Sequence, residues 1–186
     1  MKMGYNEIFY SAEKQSKACV WRRRKEGKKF GLKPDLMTIV KNKNGLEFEI
    51  MYLECSRISS EGRKLKDDEI KLFRECNTGM DFAHAGCDLS TEFGIIGIQI
   101  AGRIRCKLSV YFIHLTYDTS MLGEEIFLNI LIRDDYNITR YFHLCEAKIP
   151  FNVCNSDEFI KLVNLLLTFR VITLFLSNIY RYCYAV

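Results

Sequence analysis

The chain has 186 residues and a formal net charge of +4, with 48% of its residues hydrophobic and 13% aromatic. A chain of this size can bury a sizeable core within one domain. Two prolines and eleven glycines leave no linker, low-complexity stretch or internal repeat, which excludes a modular or repetitive organisation and predicts one domain without a hinge.

In chain order, residues 5–25 are predicted to be helical, with Ile8, Phe9, Ala12 and Cys19 forming a loose apolar stripe. The charge is concentrated at the end of this stretch. Lys14, Lys17, Arg22, Arg23, Arg24, Lys25, Lys28, Lys29 and Lys33 face Glu26 as their only acidic neighbour between positions 14 and 33. Such a cluster can neutralise phosphates, so Arg22, Arg23, Arg24, Lys25, Lys28 and Lys29 are candidate nucleic-acid contacts. The run at 22–29 equally fits a nuclear localisation signal or a solvated helix end.

Gly27 and Gly31 then break the pattern. Residues 34–41 (PDLMTIVK) and 46–56 (LEFEIMYLECS) are rich in β-branched, aromatic and apolar side chains and are predicted strands. Asn44-Gly45 between them is a strong hairpin signal, since both residues tolerate the positive φ of a two-residue type I′ turn. With Lys43 facing Leu46 across that turn, Asp35 falls directly opposite Glu54, their Cβ atoms about 4.5–5.5 Å apart. A single bulge would shift the register and separate them.

Two carboxylates at that separation disfavour each other's ionisation unless something neutralises them. A divalent cation does so, and Mg²⁺ takes one or two carboxylates together with water and phosphate oxygens. Met37, Ile39, Ile50 and Tyr52 project to the same face, an unusual setting for ordinary surface acids. Alternatively, Asp35 caps the strand entry after Pro34 while Glu54 pairs with Arg57 or a lysine. The residues alone leave both readings open.

Residues 63–84 are polar and periodic, with Leu65, Ile70, Leu72, Phe73 and Cys76 on one face of a predicted helix. Strands are predicted at 94–101, 104–117, 125–132 and 138–147, the last stopped by Pro150. Ser156, Asp157 and Glu158 supply a cap and an acidic first turn for a final helix over 157–181. Leu162 to Tyr180 is strongly apolar, but Arg170 at its centre and the polar Asn164, Thr168, Ser177 and Asn178 argue for a buried helix closing the core over a membrane span. The fold class that follows is α/β, a single mixed sheet flanked by helices.

Eight cysteines occur without a C-x-x-C pair, so no zinc site is expected. The opening segment MKMGYNEIFYSAEK lacks the apolar core of a secretory signal, which predicts an intracellular protein with reduced thiols. His84, His114 and His143 are scattered and are expected to be structural. Glu146 and Lys148 form an isolated E-x-K string with no partner aspartate. No Gly-rich phosphate loop, G-x-S-x-G elbow or H-E-x-x-H is present.

The order of a helix, a K-P-D strand opening at Asp35, a hairpin, an acidic residue at the end of the next strand and a following helix resembles the core of the PD-(D/E)XK nuclease superfamily. More narrowly, the run LKPDLMTIV, IMYLECSR, DDEIKLF, GIQIAG, LSVYFI and EAKIP resembles divergent members in expanded families of filamentous fungi, some attached to Crinkler-type effectors. The likeness spans most of residues 30–175.

That resemblance implies a restriction-endonuclease-like core and Mg²⁺- or Mn²⁺-dependent hydrolysis of DNA or RNA. Asp35 matches the motif aspartate and Glu54 the following acidic position, both as metal ligands. Glu7 or Glu13 matches, by position only, an extra acidic ligand that some members carry. Ser56 stands where the motif has lysine, and a hydroxyl cannot balance developing negative charge as an ammonium can. In some divergent members the lysine has moved to the next helix, which points to Lys71, with Lys64 and Lys66 behind it. Lys71 could instead pair with Asp67, Asp68 or Glu75 on its own helix. The expectation is therefore a nuclease-like hydrolase, with two rivals: a degenerate nuclease fold that binds nucleic acid or protein, and a membrane-associated protein anchored by residues 162–180.

Overall fold

In the computed structural model, which describes residues 8–12, 14–27, 30–57, 63–87, 93–102, 125–133, 138–150 and 155–182, one side chain shapes the first hairpin. Asn42 Oδ1 accepts from the backbone N–H groups of Asn44 and Leu46, at 3.0 and 2.9 Å. The Asn42 N–H donates to the Leu46 carbonyl and the Gly45 N–H to the Asn42 carbonyl. Lys43, Asn44 and Gly45 thus form a three-residue loop in place of the expected two-residue turn. Gly45 takes the left-handed conformation (φ 82°), which any side chain there would strain.

Strands β2 (Leu36–Lys41) and β3 (Glu47–Arg57) flank this loop. Near the loop Lys41 pairs with Glu47, one position away from the expected register. A bulge between Thr38 and Ile39 then restores it, leaving Ile50 as the extra residue, and Leu36 pairs with Leu53. Two departures cancel, and the far end of the hairpin lands in the register the sequence predicted.

The region expected as one helix over 5–25 divides in two. Residues Ile8–Ala12 form β1, paired antiparallel with β2, and only Lys17–Lys25 form helix α1. The strand segment, IFYSA, carries β-branched and aromatic residues that satisfy the otherwise unpaired edge of β2. Ser16 separates the two, its backbone extended (φ −63°, ψ 127°) while its hydroxyl caps the helix by accepting from the Cys19 N–H.

Helix α2 (Arg63–Gly86) follows β3 and leads into β4 (Gly94–Gly102), which pairs parallel with β3, a connection that requires such a crossover. Antiparallel strands β5 (Glu125–Arg133) and β6 (Thr139–Lys148) complete a six-stranded mixed sheet in sequential order. The strand predicted at 104–117 lies outside the described residues. The protein is α/β, with one mixed sheet flanked by helices.

Each face of the sheet carries its own core. Phe48, Ile50 and Tyr52 pack with Leu72, Cys76 and Met80 of α2 on one side. Met51, Leu53, Ile96 and Ile98 pack on the other with Leu162, Leu165 and Leu176 of α3 (Ser156–Tyr182). Covered on both faces, β4 is buried along its whole length. At Gly79, a Cβ would lie 2.5 Å from Tyr52 Oη, so glycine lets α2 press this closely onto β3.

Helix α3 departs from the expectation of a buried helix. Only 22% of its most apolar stretch is buried, and Leu167, Val171 and Phe175 are each more than half exposed. One stripe docks on the sheet, while the opposite stripe is apolar as well. By length and composition α3 is also the one helix among the described residues able to cross a membrane.

Candidate active site

Asp35 sits just before β2, and its Oδ2 accepts from the Cys55 N–H at 2.7 Å, which fastens the start of β2 to the end of β3. Continuing the Leu36–Leu53 pairing by one residue places it opposite Glu54. Glu54 alternates with Tyr52 on the face that α2 covers, and is buried.

The third member comes from α2. Lys71 Nζ lies 2.6 Å from Glu54 Oε2 and donates to the Lys33 carbonyl at 3.3 Å, so one ammonium holds both the acidic strand end and the segment preceding Asp35. The within-helix pairings with Asp67 and Asp68 are not the ones formed. Partial burial pulls the Lys71 ammonium down, but its bond to Glu54 and the nearby carboxylates outweigh this, leaving it above the ordinary lysine value. Burial raises the Glu54 carboxyl, with Lys71 opposing the shift.

One turn beyond Lys71, Glu75 is fully buried on the same face, its carboxyl group against that of Glu54 and with no other hydrogen-bond partner. Burial, reinforced by the neighbouring Glu54 charge, pushes its pKa to about 9. At neutral pH Glu75 is therefore a neutral acid beside the Lys71–Glu54 pair. Sequence reasoning weighed Glu75 only as a surface partner for Lys71. The available signal was its place between the core positions Leu72 and Cys76 and its i,i+4 spacing from Lys71.

Ser56, at the motif-lysine position, has its hydroxyl 3.1 Å from Gln99 Nε2, which also donates to the Leu65 carbonyl at 2.8 Å. Gln99 is the β4 residue paired with Glu54. This buried amide ties the start of α2 to the sheet beside the acidic pair.

The basic residues divide between two surfaces. Arg22 and Arg23 line a groove between α1 and α2 together with Lys71 and Arg74, whereas Arg24 and Lys25 lie on the opposite side of α1, with Lys25 stacked over Trp21. Lys28, Lys29, Glu7, Glu13 and His114 lie outside the described residues. Lys64 and Lys66 are exposed on the first turns of α2, away from the Glu54 contact. His84 packs edge-on against Phe93, and His143 contacts Asn129 at 3.1 Å. Glu146 is an exposed β6 residue beside His143.

Among the described residues, no group of three or more His, Cys, Asp or Glu side chains is arranged to hold a metal ion. The donor set nonetheless suits Mg²⁺ or Mn²⁺ bound through few protein ligands. Glu54 Oε1 is buried with only the Glu75 carboxyl beside it, and Asp35 has one oxygen not engaged by Cys55. Comparison of the chain with protein-family models, curated proteins and solved structures finds no match.

Proposed function

We propose that this protein is a divergent PD-(D/E)XK-like nuclease domain that hydrolyses phosphodiester bonds of nucleic acid with a divalent cation. The observation that carries this reading is the convergence of Asp35 just before β2, Glu54 on β3 and Lys71 on α2 at one end of the β2–β3 pair. Asp35 and Glu54 would hold Mg²⁺ or Mn²⁺, which when bound would acidify a water and neutralise phosphate charge. Lys71 keeps its ammonium beside Glu54, positioned to balance charge on an incoming phosphate in place of the absent motif lysine. Glu75, neutral and buried, adds no further negative charge.

The test is calorimetric titration of Mn²⁺ into the wild type and an Asp35→Asn/Glu54→Gln variant, with plasmid nicking measured on the same samples. Binding and EDTA-sensitive nicking should both be present in the wild type and fall at least a hundredfold in the variant. Nicking that survives the double substitution overturns the assignment.

A second reading, a nuclease fold retained for binding alone, is favoured by one specific feature. Ser56 is engaged by Gln99, and Lys71 is already paired with Glu54. Mn²⁺ binding without cleavage of plasmid, single-stranded DNA or RNA would select this reading.

A further inference from the structure

Helices α1 and α2 lie side by side, and their facing stripes enclose a groove of about 440 Å³. On α2 its wall runs from Asp67 to Thr78, about 16 Å at the rise of an α-helix. Arg22 and Arg23 project from α1, and Lys71 and Arg74 from α2, against Asp67 and Glu26. These charges are unequally committed. Lys71 is held by Glu54, and Arg22 by Thr78 (3.0 Å) and Glu26 (3.4 Å). Arg23 and Arg74, from opposite walls, have no carboxylate partner among the described residues, which leaves two guanidinium forks open to an anion.

Lys71 lines this groove and also touches Glu54, so the groove passes beside the acidic pair. A chain of phosphates is the ligand class that matches an arginine-walled groove running beside such a site, since guanidinium groups take phosphate oxygens bidentately. We propose that the α1–α2 groove seats the phosphodiester backbone of a single nucleic-acid strand, gripped by Arg23 and Arg74 and led toward Lys71 and Glu54. The direction of the strand rests on the nuclease reading, whereas the grip itself requires no cleavage. Arg22, braced by Thr78, forms part of the wall. Arg24 and Lys25, on the other side of α1, are not part of it.

The experiment is fluorescence anisotropy with a labelled 12-nucleotide single-stranded DNA and the RNA of the same sequence, in EDTA so that nothing is cut. Arg23→Ala/Arg74→Ala should bind both probes at least tenfold more weakly than wild type. Its log–log salt slope should fall by about 1.4, two phosphate contacts at about 0.7 each for a single strand. Arg24→Ala/Lys25→Ala, with the same loss of charge, should stay within threefold. Arg23→Lys/Arg74→Lys should recover most of the salt slope while remaining weaker than wild type, because lysine lacks the planar fork. Equal binding of DNA and RNA supports a phosphate-only grip. A preference for RNA also supports the groove and adds recognition of the 2′-hydroxyl. Equal weakening by the two alanine variants would mean diffuse attraction and overturn the proposal, as would absence of binding to either probe. Because metal and cleavage are excluded from the assay, failure here leaves the Asp35/Glu54 test to be judged separately.

Discussion

Glu75 shows how one buried side chain can register pH for the whole fold. An ordinary glutamate titrates near 4.5, and in the folded protein Glu75 does so at about 9, chiefly because burial penalises its charged form. Folding therefore takes up a proton between these values. The residue's contribution is fully present below pH 4.5, falls as pH rises, and is lost above about 9. Glu75→Gln keeps the shape and removes the titration, so the variant should melt higher than wild type at pH 8 and show a flatter stability profile from pH 5 to 8. Glu54, also raised by burial, retains part of the slope. Identical profiles for the two proteins would show that Glu75 is ionised without penalty. The placement of Asp35 opposite Glu54 was legible from the hairpin register, whereas Lys71 was singled out only through the resemblance to divergent members whose lysine has moved to the next helix. Glu75 and Gln99 were not, because what distinguishes them is the packing of α2 and β4 against β3, and one-dimensional periodicity marks such positions only as polar residues on an apolar face.

At the scale of elements, the position of α1 depends on a residue from another element. Glu49, buried on β3, accepts from Ser16 Oγ and the Lys17 N–H at 2.6 Å each, and from Tyr52 Oη at 2.7 Å. A carboxylate at the start of α1 satisfies backbone donors that the helix cannot pair internally and opposes the positive end of its dipole. Lys17 adds an outer tie through an ion pair with Glu47. Glu49→Ala would leave Ser16, Lys17 and Tyr52 without their acceptor, at a cost of about 2–4 kcal/mol. Urea unfolding should show that loss, and hydrogen exchange should show protection falling first in α1 while α2 and β4 keep theirs. A loss below about 0.5 kcal/mol would mean that α1 is held by its apolar contacts alone. This tie also explains why the first helix was misread. Its apolar stripe is loose, so tertiary partners decide where helix begins: the free edge of β2 claims residues 8–12, and Glu49 fixes the cap at Ser16. The hairpin was legible in outline because Asn-Gly marks a turn whatever its type, and the bulge that offsets the loop length has no sequence signature of its own.

For the whole molecule, α3 presents two unlike faces, one docked on the sheet and one exposed. Its docking stripe of Leu162, Leu165 and Leu176 is buried, whereas Leu167 and Val171 on the far side are 52% and 65% exposed. The strength of the sequence signal came from both stripes together, which is why composition predicted a fully covered helix and the packing gives a half-covered one. Arg170 lies on the exposed side near the helix centre, a position that would be costly in a bilayer interior and is ordinary in water. If α3 is held by the sheet, its two faces should respond oppositely to substitution. Leu165→Ala should destabilise the protein by about 2–5 kcal/mol by opening a cavity against the sheet. Leu167→Gln/Val171→Gln should change stability by no more than about 0.5 kcal/mol per site, since those side chains lose little burial. Both effects can be read from urea unfolding of protein purified without detergent. The opposite ranking, with Leu165→Ala silent and the exposed pair destabilising, would show that the outer stripe is the one covered in the native molecule and that α3 takes its stability from a surface other than the sheet.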